Sequence, residues 1–133
     1  MAVIRRQTLT NGDTEQAITT GYPDNGLALT KPPTSGKSPT ISGVVSGLFI
    51  FFHTLSTATS VSVVVTDDAA GDRPLMPETS AILQTGMTTA TKGSAVLNFD
   101  GLQVYDSNEP VFCWIKTNAG TLTVYDIILT YGE

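Results

Sequence analysis

The residues able to do chemistry are few. The chain of 133 residues holds one histidine, His53, and one cysteine, Cys113. Nucleophilic catalysis needs a base beside the nucleophile. His53 is the only imidazole for that role, and it closes the most apolar stretch, Leu48-Phe49-Ile50-Phe51-Phe52. Ser46, in Gly43-Val44-Val45-Ser46-Gly47, departs from the Gly-x-Ser-x-Gly pattern of a nucleophile turn. His53 is therefore expected as a strand-end histidine, partly buried or at a subunit contact. Cys113, set mid-strand between aromatics, is expected as a small core filler. One Cys and one His give no tetrahedral nitrogen–sulfur site, so no transition metal is expected from a single chain. Gly36-Lys37-Ser38 imitates the end of a phosphate-binding loop. That motif needs a glycine where Lys31 stands and a helix where Pro39 stands, so the helix N-terminus that would hold phosphate cannot form. Asp67, Asp68 and Asp72 make the densest acidic cluster. A hard cation wants several converging oxygens, and the spacing departs from the EF-hand pattern. The cluster reads as a loop in which an Asp caps a turn. Asp106 and Glu109 flank another turn. Two carboxylates hydrolyse a glycoside only across a cleft, and nothing in the pattern supplies one. No catalytic residue, metal or cofactor is expected, and the chain reads as a non-enzyme.

The elements that hold these residues are strands. Ser60-Val61-Ser62-Val63-Val64-Val65-Thr66 alternates, with Val61, Val63 and Val65 on one face. Further strands are expected over Thr79 to Gln84, Ser94 to Phe99, Leu102 to Tyr105 (after an Asp100-Gly101 turn) and Val111 to Thr117. Asn118-Ala119-Gly120 reads as a tight hairpin loop into a last strand, Thr121 to Tyr131. In that strand Leu122 and Val124 share one face while Ile127, Leu129 and Tyr131 fall on the other, which predicts a bulge or kink at Asp126. Before residue 41 the texture is polar. Gly21-Tyr22-Pro23-Asp24-Asn25-Gly26 and Lys31-Pro32-Pro33-Thr34-Ser35-Gly36-Lys37-Ser38-Pro39 are turn and extended signals. The pattern predicts an extended N-terminal arm over 1–40 with short edge strands, and a β-sandwich domain over 41–133. Six to eight antiparallel strands at short spacing predict an all-β, jelly-roll-like sandwich.

Composition narrows the function. Charged residues are 14% against a hydrophobic 41%, and 21 Thr with 10 Ser supply a small hydroxyl at nearly a quarter of positions. A net charge of -5 argues against a nucleic-acid partner, which needs a basic face. No apolar run approaches the roughly 20 residues of a membrane span. Met1-Ala2-Val3-Ile4-Arg5-Arg6 runs on into polar residues, so no secretory signal is read there, and the lone cysteine fits folding in a reducing cytoplasm. The charge is uneven. Residues 1–40 hold four bases (Arg5, Arg6, Lys31, Lys37) and three acids, about +1; the rest holds three bases and nine acids, about -6.

The aromatic strand raises a packing problem. Phe49 and Phe51 alternate with Leu48, Ile50 and Phe52, so both faces are apolar, while a small sandwich normally wets one face of each sheet. Something must cover the second face: the arm, a neighbouring copy or a larger partner. The closing hairpin from Asn108 to Glu133, Asn-Glu-Pro-Val-Phe-Cys-Trp-Ile-Lys-Thr-Asn-Ala-Gly-Thr-Leu-Thr-Val-Tyr-Asp-Ile-Ile-Leu-Thr-Tyr-Gly-Glu, resembles that of small phage jelly-roll proteins. With the Phe49/Phe51 strand and the valine strand, the chain resembles the capsid decoration (cement) proteins of tailed bacteriophages. The resemblance covers about two-thirds of the chain and is one of texture. It implies a homotrimer on the outer capsid surface of a virion, made in the host cytoplasm, that bridges capsomers of the major capsid protein. Arg5, Arg6, Lys31, Lys37, Phe49 and Phe51 are the expected partner-binding residues. The competing expectation is a carbohydrate- or receptor-binding sandwich of a phage tail or fibre, with Trp114, Tyr105 or Tyr125 stacking on sugar rings. Trp114 decides between them: a flat exposed indole favours the sugar, a buried one does not.

Overall fold

The computed structural model describes residues 2–7, 15–24, 27–29, 43–104 and 111–132. Among the described residues ten strands run in chain order: β1 Ala2–Gln7, β2 Gln16–Ile18, β3 Leu27–Leu29, β4 Gly43–Ser56, β5 Ser60–Thr66, β6 Thr79–Ile82, β7 Gln84–Thr85, β8 Gly93–Val104, β9 Val111–Thr117 and β10 Thr121–Gly132. They form a six-stranded sheet, β1-β10-β4-β8-β7 with β2 also on β10, and a four-stranded sheet, β3-β9-β5-β6. Every described pairing is antiparallel.

Within these sheets, β2-β10-β4-β8 faces β3-β9-β5-β6, and the chain passes from one sheet to the other at β2–β3, β3–β4, β4–β5, β6–β7, β8–β9 and β9–β10. That is the two-sheet connectivity of an eight-stranded jelly roll. The expected antiparallel sandwich is therefore the fold, and its six to eight strands become ten by the addition of β1 and two-residue β7. The segment Thr79 to Gln84 does not stay in one sheet. β6 pairs with β5, Leu83 is buried, and β7 pairs with β8. The three strands from within 1–40 lie at sheet edges: β1 and β2 share one edge of β10, and β3 pairs with β9. Ile18 of β2 is in the core.

The core lies between the sheets and follows the alternation. Val61, Val63 and Val65 of β5 face Leu48, Ile50 and Phe52 of β4, with Cys113 and Ile115 of β9 and Leu122, Val124 and Ile127 of β10. Each fully buried side chain of this size contributes about 1.5–3 kcal/mol of transfer free energy. The β10 register slips between Val124 and Asp126, as the change of face requires: Val124 pairs with Phe52 and Asp126 with Phe51, so the ladder passes over Tyr125. The hairpin at Asn118-Ala119-Gly120 is present, and Gly120 takes φ +60°. A Cβ there would overlap the carbonyl of Ser56. Asn118 ties the tip to the next turn, accepting from the N–H of Thr59 and Ser60 and donating to Thr59 Oγ1. A second expectation fails. Asp100-Gly101 is not a turn, because β8 runs on alongside the long β4. Gly47 pairs with Asn98 and Val45 with Leu102, so the extra residues form an irregularity inside a single strand.

Candidate functional site

Two surfaces carry side chains that the core does not consume. The first is the outer face of the six-stranded sheet. Because Leu48, Ile50 and Phe52 point inward, Phe49, Phe51 and His53 fall on the other side of β4. Phe49 pairs with Val96 on β8 and Ile128 on β10. The bulge adds Tyr125, whose ring lies 6.4 Å from that of Phe51 and is stacked on His53 at 5.5 Å and 19°. Val96 and Tyr125 are 42% and 41% exposed, and Phe49 and Phe51 are half-buried. His53 Nε2 lies 2.9 Å from Glu15 Oε1 and Nδ1 lies 2.6 Å from Thr54 Oγ1. These contacts hold Glu15, just before β2, to β4. His53 is half-buried, as expected, but stands inside β4, which runs on to Ser56.

The expected partner-binding residues divide. Phe49 and Phe51 share this outer face. Arg6 pairs with Ile128, which pairs with Phe49, so one cross-strand row links a base of β1 to the aromatic strand. Arg5 pairs with Leu129 in the adjacent row, which continues to the core residue Leu48. Lys31 and Lys37 lie outside the described residues, as do Tyr105, Asp106 and Glu109.

The second surface is on the outer face of the four-stranded sheet, on the other side of the sandwich. Cys113, Ile115 and Thr117 of β9 face the core, so Phe112, Trp114 and Lys116 face outward. The segment 67–78 folds over them and leaves a cavity of about 400 Å³ lined by Tyr22, Val64, Thr66, Met76, Glu78 and Trp114, among others. Trp114 is only 8% exposed and its Nε1 donates to Thr66 Oγ1 at 3.0 Å. Gly71, at φ +77°, rests on the indole; a Cβ there would lie 2.9 Å from Cζ2. Trp114 is thus neither in the inter-sheet core nor a flat exposed platform, and its ring face is not open to a sugar.

At one side of this cavity Tyr22 donates its O–H to Glu78 Oε2 at 2.5 Å. Lys116 Nζ lies 3.5 Å from the same oxygen and 4.7 Å from the centre of the Tyr22 ring. The Tyr22 hydrogen bond, with the Lys116 charge, holds the Glu78 carboxyl below its usual range. Burial, then the Glu78 contact, pushes the Tyr22 phenol above its usual range. Nothing in the spacing pointed to Tyr22 and Glu78, which are 56 residues apart. Trp114 and Lys116 carried a signal, since period 2 places them on one face opposite Cys113 and Ile115.

The remaining groups settle as loop and core. Asp68 accepts from the N–H of Asp72 and of Arg73, which lowers its pKa, the Asp72 bond weighing most. Asp67 is ion-paired with Arg73 at 2.9 Å. No cluster of three metal-ligating side chains occurs among the described residues. Cys113 is buried, and burial pushes its thiol up to about 12. No protein-family model matches the chain, and no curated protein matches it in sequence.

Proposed function

We propose that this chain is a structural virion protein, not an enzyme, that binds the outer surface of a tailed-bacteriophage capsid and stabilises it by bridging capsomers as a homotrimer. What supports this reading is the outer face of the six-stranded sheet. Phe49, Phe51, Val96 and Tyr125 form a half-exposed apolar and aromatic patch on a rigid strand framework. Aromatic side chains held in place in this way are the usual anchors of protein interfaces. The register from Phe49 through Ile128 to Arg6 puts a basic residue of β1 in the same cross-strand row. A protein that binds the closed lattice and not its free subunits adds its binding free energy to the lattice by linkage. Its low charge and many hydroxyls suit a packing surface.

The competing reading, a sugar-binding sandwich of a tail or fibre, needs open aromatic faces. The indole of Trp114 is covered, and one face of Tyr125 is taken by His53. The test is a Phe49→Ser/Phe51→Ser variant, checked for cooperative unfolding and mixed with undecorated heads of the virus that carries the gene. The wild-type chain is expected to cosediment with heads and raise their disruption temperature, while the folded variant does neither. Unchanged binding by the variant, or wild-type binding to glycans and not to heads, would overturn the proposal.

A further inference from the structure

The cavity over Trp114 has no part in that reading and lies on the opposite side of the sandwich. Its polar groups are largely committed. Thr66 Oγ1 accepts from Trp114 and donates to the carbonyl of Asp68, and the Tyr22 O–H is given to Glu78. Much of the remaining wall is hydrocarbon, from Trp114, Tyr22, Val64, Pro74, Met76 and Pro77. A polyhydroxylated ligand would be stripped of water and find few partners there. A proline-containing segment would not need them. Proline has no N–H to satisfy, its extended backbone keeps its water, and its ring packs on aromatic faces.

Charge selects further. The covering segment Thr66–Glu78 holds four acids, Asp67, Asp68, Asp72 and Glu78, and one base, Arg73, which is committed to Asp67. Within the site, Lys116 already shows how a cation sits: its ammonium lies over the Tyr22 ring and near the Glu78 carboxylate. The volume, about 400 Å³, lies at the small end of ligand sites, which run from roughly 300 to 1,000 Å³. It takes a few side chains and no folded element.

We propose that this cavity docks an extended, proline-containing, basic segment of a partner protein. Its proline rings lie against the wall of Tyr22, Val64 and Met76, beside the covered indole of Trp114, and its lysine or arginine exchanges with Lys116 at Glu78. Lys116 is then a resident competitor, which sets opposite signs for two substitutions of one ion pair.

Trp114 is the only tryptophan, so its emission reports the site directly. The probe is a synthetic decapeptide of paired prolines flanked by arginines, without aromatic residues, titrated into the full chain. Saturable change in Trp114 emission is expected. Glu78→Gln weakens binding about tenfold, and Lys116→Met tightens it. A peptide with the prolines replaced by alanine, charge unchanged, loses binding, and so does one with the arginines replaced by glutamine. Both variants are checked for wild-type unfolding. Three results would overturn the proposal: no saturable emission change at millimolar peptide, equal weakening by both substitutions, or equal binding of the alanine peptide, which would make the contact mere charge attraction.

Discussion

Asp68 shows how one side chain shapes a surface without touching a ligand. Its two carboxylate oxygens accept from the N–H of Asp72 and Arg73, and these bonds fix the loop that lays Gly71 on the Trp114 indole. Both bonds favour the ionised form, so the pKa of Asp68 is lower in the folded chain than in the unfolded one. A carboxylate with that sign adds stability above its unfolded value and loses it as pH falls through its folded value. Asp68→Ala is therefore expected to lower Tm near neutral pH. The gap from the wild type should close as pH falls below about 4, the ordinary aspartate range. Thermal melts of both proteins across that range measure it. Glu78 is lowered too, but it is present in both proteins and drops out of the difference. A gap that stays constant into strong acid would mean that Asp68 acts by packing and not by charge. The acidic cluster is thus a capped loop, a reading open to the sequence, since Asp, Gly and Pro punctuate it. The consequence for Trp114 was not open to it, because the indole arrives from 46 residues further along in the chain.

At the scale of elements, β10 joins the fold to the exposed aromatic face. Its bulge lets Leu122, Val124 and Ile127 all reach the core while Tyr125 and Asp126 intervene. Deleting Tyr125 leaves Leu122, Val124 and Ile127 at period 2 with no bulge. The expected result is a folded, cooperatively melting protein, because a one-residue change flips faces only where it breaks alternation, and here it restores it. The outer patch loses the ring that links Phe51 to His53. Loss of folding would show that the bulge is needed for closure itself; far-UV circular dichroism and a denaturant titration distinguish the two. This bulge was legible because the apolar residues of β10 change parity at Asp126. The valine alternation of β5 and the two-faced apolar run of β4 were legible for the same reason. Asp100-Gly101 is a turn dipeptide that its neighbour overrides: β4 continues past it and keeps β8 paired on both sides. The Tyr22–Glu78–Lys116 cluster was invisible, since jelly-roll crossovers, not local spacing, bring its members together.

For the whole molecule, the uneven charge gains a place in the fold. The bases Arg5 and Arg6 stand on β1, the edge strand of the six-stranded sheet, and the segments around them are built into both sheets. β2 pairs with Leu122–Val124 and buries Ile18 in the common core; β3 covers the edge of β9 at Val111–Cys113. The Thr19 carbonyl also accepts from the N–H of Thr117, tying the end of β2 across to the other sheet. Removing residues 1–29 therefore strips one edge from each sheet and opens β9 and β10, which hold much of the core. The truncated chain is expected to unfold less cooperatively and to aggregate through the two exposed edges. Denaturant unfolding should show a midpoint and an m-value both well below those of the full chain, since m follows the surface exposed on unfolding. A full-size m-value and an unchanged midpoint would instead place the first 29 residues outside the cooperative unit. In that case their bases would be free to serve a partner without cost to the fold.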